Sequence, residues 1–405
     1  MMHMKSTTII PAIISILFFT TLNIYSQGSE PKTLILRKDL LVELKEKYGK
    51  YKNRTDDIII SLLETSDNLL KEKPLSVVDK SVTPPGGDKR DFMSMGPYWW
   101  PDPSKKDGLP YIRRDGERNP EYYKITDQEY FTRTVNESQL LALAFYVTGK
   151  ASYAEKAVQK IRVWFLNEKT KMNPNMKHAQ FIPGINAGRG IGLIETREIF
   201  KVLDAVAILR ISRRWSDNDD SKFKVWLADY YKWITSHKYG LDESNEKNNH
   251  GTWYDVQAVS IALFLNRIDD AKKILENAKL KRIDSQIDSV GKQPLELART
   301  KSWNYSCMNL SAFFHLALLG EKIGIDLWNY SSPRGGSIQK ALDYLLPFAN
   351  NFNNWKYKQI EEFNSRSLEE ILYLAIDKYE KNKYSDWYKK IYKNEPHYTL
   401  NTFLF

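Results

Sequence analysis

Residues 27–405 predict an all-α fold, a single domain of antiparallel helical hairpins. Three observations predict it. Apolar residues recur at three- and four-residue spacing in one segment after another. Short Gly, Asn or Asp links join successive segments, and such links between helices of similar length imply antiparallel neighbours. No linker or low-complexity stretch divides the chain, although three long connections interrupt the helical rhythm.

The first residues read as targeting rather than fold. Lys5 gives a short basic start, residues 9–22 form a largely apolar run broken by Pro11 and Thr20, and Ile24-Tyr25-Ser26 before Gln27 offers a cleavage site. The run is shorter than the roughly 20 residues of a spanning helix. Residues 1–26 are therefore expected to be a signal peptide and the mature chain to carry no membrane span. Export to a periplasm follows, with secretion as the alternative.

The periodic segments begin with 40–48 and 56–70. Residues 137–148 and 153–167 follow, joined by Gly149-Lys150, then 191–211 and 221–236, joined across 217–220. Residues 253–265 and 269–278 meet at 266–269, and 308–322, 336–350, 367–378 and 385–392 complete the set. The long connections are 73–136, 168–189 and 280–306. Loops of that length in a compact domain usually carry function, and a hairpin scaffold would gather them at one rim.

The net charge of +10 points to an anionic partner drawn into a positive cleft, or to a scattered solvated surface. No nucleic-acid module is recognisable, so nucleic acid is not the expected partner. Cys307 is the only cysteine, which excludes an internal disulfide and suits a small buried side chain. Eleven Trp and 24 Tyr exceed what a core needs, and some can line a groove.

The densest constellation is Asn248-Asn249-His250-Gly251-Thr252-Trp253-Tyr254, with Arg299, Trp303 and Tyr305 downstream. The chain is polar from Asn245 and amphipathic from Trp253, which places His250 at a loop-to-helix junction. An imidazole with an ordinary pKa of about 6.5 can accept a proton there; equally, Asn248 or Asn249 can simply cap the helix. Arg299 can clamp a carboxylate with two parallel hydrogen bonds, and a Tyr beside cations loses its proton more readily than an isolated one. The plain alternative is a surface ion pair and a core Tyr. No Cys or carboxylate stands close to the His, which argues against a metal site or a nucleophilic triad. There is no His-Glu-x-x-His motif, Cys pair or Asp-rich loop, and neither metal nor organic cofactor is expected.

These residues resemble the alginate lyase family of helical polysaccharide lyases. Pro97-Tyr98-Trp99-Trp100-Pro101, Arg133-Thr134-Val135-Asn136-Glu137 and Gly184-Ile185-Asn186-Ala187-Gly188-Arg189-Gly190 carry the resemblance in the same order along the chain. Gly251-Thr252-Trp253 stands where the best-known alginate-specific members have Ser-Tyr-Trp, and the interval from Arg299 to Tyr305 is one residue shorter than theirs. Similar lyases act on alginate or on glucuronan.

The resemblance implies an (α/α) toroid or incomplete barrel with long loops over the cleft. It implies cleavage of 4-linked uronic acid polymers by β-elimination, leaving unsaturated ends, with an anionic polysaccharide as partner and no cofactor. Asn249 and Arg299 would neutralise the uronate carboxylate, while His250 and Tyr305 would move the protons.

Substrate contacts are expected from Trp99, Trp100, Arg133, Asn136, His178, Gln180, Asn186, Arg189, Trp253, Tyr254 and Trp303. Several have a plainer reading. Trp99 and Trp100 can anchor their loop, Asn136 can cap a helix starting at Glu137, and Arg133 can pair with Glu137. Gly184 and Gly188 can serve a tight turn, whereas a helix N-terminus beside Arg189 can hold a carboxylate. Glu195, Arg197 and Glu198 read as helix salt bridges. Two rival functions remain. A non-catalytic glycan-binding protein would have no use for the Asn, His, Arg and Tyr set. A toroidal hydrolase needs two facing carboxylic acids, and Asp91, Asp102, Asp115 and Asp255 form no obvious pair.

Overall fold

A computed structural model describes residues 30–50, 57–394 and 400, and residues Pro31–Phe405 cluster as one unit. The expected signal peptide lies outside the described residues. The helices are α1 (Lys38–Lys50), α2 (Asp57–Leu69), α3 (Asp127–Thr148), α4 (Ala151–Ile161), α5 (Phe200–Leu209), α6 (Asp217–Ser236) and α7 (Lys238–Ser244). They continue as α8 (Asn249–Phe264), α9 (Ile268–Ala278), α10 (Pro294–Leu297), α11 (Ser302–Glu321), α12 (Ile338–Asn350), α13 (Glu369–Lys378) and α14 (Lys381–Tyr392).

Composition sorts these helices into two rings. Inner helices α3, α5, α8, α11 and α13 are buried on nearly every side; α5 exposes little beyond Lys201. Outer helices show one apolar stripe, as in α9, which buries Ala271, Leu275 and Ala278 and turns its charges outward. Inner and outer helices pack as hairpins: α3 with α4, α8 with α9, α13 with α14. The inner arc is closed by α3 on α5, α5 on α8 and α8 on α11. This is the helical toroid. Among the described residues no helix is long and apolar enough to cross a membrane.

The differences from the sequence reading have local causes. Helix α3 starts at Asp127 rather than near Glu137, because its polar first half is satisfied by ion pairs from Arg133 to Glu137 and Glu72. Asn136 is therefore mid-helix and caps nothing; its Oδ1 accepts from Lys201 Nζ at 2.8 Å. Residues 191–211 are not one helix. Gly190–Thr196 is a 3₁₀ turn, and a Cβ on Gly192 would stand 2.5 Å from the Ala179 Cβ. Residues 217–220 are the first turn of α6, held by a capping box from Ser216 to Asp219. Helices α7 and α10 and, among the described residues, four short strands have no counterpart in the sequence reading. Strands β1 (Met93–Met95) and β4 (His178–Phe181) pair in parallel; β2 (Trp99–Trp100) and β3 (Ile112–Arg113) pair antiparallel. These strands tie the first two long loops to the rim of the toroid. Gly188 is required there, since a Cβ would meet the Lys177 carbonyl at 2.0 Å.

Candidate active site

Five pieces of chain meet at the rim: the approach to and start of α8, the Arg299 loop with the start of α11, the β2–β3 hairpin, the stretch from Arg118 to Gln128, and the stretch from Gln180 to Arg197. Together they line one cavity of about 460 Å³.

At α8 the side chain of Asn248, in extended conformation, accepts from the His250 backbone N–H at 3.1 Å. Asn248 is thus the cap, which frees Asn249 and His250 to face inward from the first turn. Gly251 is dictated by crowding. A Cβ there would stand 2.1 Å from the Glu246 carbonyl and 2.4 Å from Arg282 Nη1. Arg282 is fixed in that place by Asp255 and by the Ser244 and Glu246 carbonyls. The glycine that sets this motif apart has a packing cause.

Each of the four central side chains is oriented by a neighbour. Glu296 accepts from the Asn249 backbone N–H at 2.6 Å and from its Nδ2 at 2.8 Å, leaving Asn249 Oδ1 buried with no partner. His250 Nδ1 lies 2.9 Å from the buried Glu243 carboxylate, so Nε2 is the ring nitrogen left for a substrate. The expectation that no carboxylate is near this His is therefore corrected. Burial opposes the imidazolium, but the Glu243 charge and hydrogen bond outweigh it and raise the His250 pKa above 6.5.

Arg299 donates to Asp115 through Nε at 3.2 Å and Nη2 at 2.8 Å. Its Nη2 also donates to the Tyr305 hydroxyl at 2.9 Å, with the guanidinium 3.9 Å above the ring. Asp115 takes the Nε and one Nη2 hydrogen and Tyr305 takes the other Nη2 hydrogen, so the two-bond clamp expected from sequence is replaced by a carboxylate contact through Nη1. Tyr305 Oη lies 2.8 Å from Tyr98 Oη. Burial and Tyr98 outweigh Arg299 and push the Tyr305 pKa up, so this phenol holds its proton, contrary to the easier loss expected.

The remaining expected contacts divide. Trp99, Gln180 and Arg189 line the same cavity. Arg189 donates to Gln180 Oε1 at 2.7 Å and lies 5.8 Å over Trp99. Gln180 takes a φ of 49°, uncommon for a residue with a Cβ and a mark of local constraint. Asn136 and Trp253 line a second, adjoining cavity between the inner helices.

The others do not line the main cavity. Trp100 donates to the Glu117 carbonyl beneath Arg114. Arg133 is held by its ion pairs, His178 by the Ala187 carbonyl, and Asn186 by its turn with Ile182. Tyr254 donates outward to the Ile234 carbonyl, and Trp303 is fully buried against Trp355 and Phe363. Their aromatic character serves packing. Glu195 is no helix salt bridge either. It is buried on the cavity wall, accepts from Ser94 Oγ at 2.5 Å, and is pushed by burial to about 7. Glu198 does pair as expected, with Lys201 at 3.2 Å and Arg197 at 3.6 Å.

Sequence reasoning did not single out Tyr98, Glu243 or Glu296, and considered Asp115 only as a hydrolytic acid. Tyr98 had a signal, since it adjoins Trp99 in a Pro-bounded motif.

The profile of the alginate lyase family matches residues 76–355. The chain belongs to the alginate lyase family. The lyase is 35% identical to an alginate lyase of Bacteroides ovatus, with a TM-score of 0.86 over 92% of this chain and 99% of the other. Alginate lyase A1-III of Sphingomonas species A1 shares the fold at 14% identity, with a TM-score of 0.52 over 83% of this chain and 86% of that one. The tetrasaccharide complex of an A1-III variant gives 0.54 at 14% identity, covering 86% and 89%. No curated protein matches the chain. The protein is a polysaccharide lyase.

Proposed function

We propose that this lyase cuts alginate by β-elimination after export through its leader. The observation that carries this reading is the convergence of Asn249, His250, Arg299 and Tyr305 on one cavity, each already oriented by a second residue. The Bacteroides ovatus relative, named as an alginate lyase, supports the choice of polymer.

In a 4-linked uronate the ionised carboxylate opposes loss of the C5 proton. Arg299 through Nη1 and Asn249 through its second Nδ2 hydrogen would stabilise the charge that moves onto the carboxylate oxygens, a preorganised electrostatic effect. Tyr305 holds a proton and would deliver it to O4 as the bond breaks. Where the C5 proton and O4 lie on opposite faces, as in guluronate, His250 Nε2 would be the base. Where they share a face, as in mannuronate, Tyr305 would first have to release its proton to solvent as substrate binds. As a phenolate stabilised by Arg299, it would then take the C5 proton and pass that same proton to O4.

Incubation with mannuronan, guluronan and glucuronan tests the reading through the absorbance of the conjugated unsaturated product. Absorbance should grow with an alginate polymer. New reducing ends without that absorbance, or cleavage of glucuronan alone, would sink the proposal. A protein isolated after export should begin at Gln27.

The couple between Glu243 and His250 gives a second test, on guluronan. A base must be neutral, and the His250 pKa is raised, so the acid limb of kcat/KM should fall above pH 6.5. Glu243→Gln removes the charge that holds the proton on the ring and should move that limb to lower pH. An unmoved limb in the pH profile would mean that His250 is not the titrating base.

A further inference from the structure

Next to the candidate active site lies a second cavity of about 450 Å³, the lumen between the inner helices. All five inner helices wall it: Asn136 and Gln139 from α3, Lys201 from α5, Trp253 from α8, His315 from α11 and Glu370 from α13. Arg197 and Met308 line both cavities and so form the partition between them. Both are long, unbranched side chains, and Arg197 lies 5.8 Å over the Trp253 ring.

The lumen is furnished beyond the needs of packing. Its volume far exceeds the roughly 30 Å³ of one water and falls in the range of about 300–1,000 Å³ usual for small-molecule sites. Gln139 is 1% exposed, and its buried Nε2 has no hydrogen-bond partner, a cost that a ligand acceptor would relieve. Lys201 is anchored by Asn136 and Glu198. Burial pushes the Glu370 carboxyl up to about 7 and His315 down to about 4. Lys201 and Arg197 overcome burial to keep the lining Glu198 carboxyl below its ordinary pKa, so the two cations face one ionised carboxylate and leave a net positive charge in the lumen.

We propose that the lumen is a second carbohydrate site, which takes a single uronate ring. A carboxylate meets Lys201 and Arg197, a ring oxygen or hydroxyl accepts from Gln139, and a hydroxyl donates to Glu370. The proposal rests on the uronan-lyase reading, because the ring reaches the lumen past Arg197 and Met308 from the cleavage site. It arrives either as a released monosaccharide or as the terminal unit of a chain.

Calorimetry with D-glucuronate tests this on the full chain. Wild type and His250→Ala should bind, while Lys201→Met and Gln139→Leu should bind about tenfold more weakly or worse, having lost one polar contact each. Should Lys201→Met not fold, Gln139→Leu, nearly the same shape, carries the test alone. No binding to wild type would overturn the proposal. So would binding abolished by His250→Ala but untouched by the two lumen variants, which would place the sugar in the catalytic cavity. Product-inhibition kinetics on the polymer separate the two sources. Relief of glucuronate inhibition with unchanged polymer KM in the lumen variants marks a released sugar; a raised polymer KM marks a chain end. Polymer turnover by wild type is read separately, so failure of the lyase reading stays distinct from failure of the lumen site.

Discussion

Tyr305→Phe is expected to lower kcat on every uronan the lyase cuts by about 100- to 10,000-fold, the usual contribution of a positioned proton donor. Oligosaccharide affinity should stay within a few-fold of wild type. The Phe ring can still fill the place beneath the Arg299 guanidinium, which sits 3.9 Å from the Tyr305 ring. What disappears is one hydroxyl, the atom that accepts from Arg299 and pairs with Tyr98. Its proton is well held, which suits a donor to O4, since a weaker acid survives to the moment the leaving oxygen becomes basic. Steady-state kinetics and calorimetry on mannuronan and guluronan oligosaccharides would check this. Near-normal turnover on all tested polymers would remove Tyr305 from the chemistry. Tyr98→Phe, by contrast, leaves the Tyr305 hydroxyl and its Arg299 bond in place and should cost less.

The grouping of these four side chains on one cavity was legible because they fall in contiguous stretches. Asn248 to Tyr254 and Arg299 to Tyr305 each fall within two turns of helix or its approach, so their side chains reach one space without long-range knowledge. The carboxylates behind them were not legible. Asp115, Glu243 and Glu296 come from three separate segments, and each is defined by the side chain it orients rather than by its own neighbours in sequence. The helical hairpins emerged from periodicity, because outer helices such as α9 carry a one-sided apolar stripe. Inner helices gave weaker boundaries. The polar start of α3 and the polar first turn of α11 hid their true beginnings, since ion pairs and loop contacts satisfy side chains that periodicity counts as loop. Aromatic rings misled for a related reason: Trp303 and Tyr254 place their polar handles on backbone carbonyls, as buried Trp and Tyr usually do.

Arg299→Ala is the second large effect, an expected fall of about 100- to 1,000-fold in kcat, the scale of losing one donor to a developing oxyanion. The loss should fall on kcat more than on KM, because charge on the carboxylate oxygens grows as the C5 proton leaves. If only KM rose, Arg299 would be a binding residue alone. Asp115 supplies the internal check. It holds Arg299 through two nitrogens, and Thr300 through its backbone N–H and hydroxyl. Burial opposes its charge, yet Arg299 and Thr300 keep its carboxyl well below the usual range. Asp115 therefore acts as a positioning residue that spends one edge of the guanidinium and aims the other. Asp115→Ala alone should cost less than Arg299→Ala, and the double variant should be no slower than Arg299→Ala, since a residue acting only through Arg299 has nothing left to position. Losses that multiplied in the double variant would show that Asp115 reaches the substrate independently of Arg299.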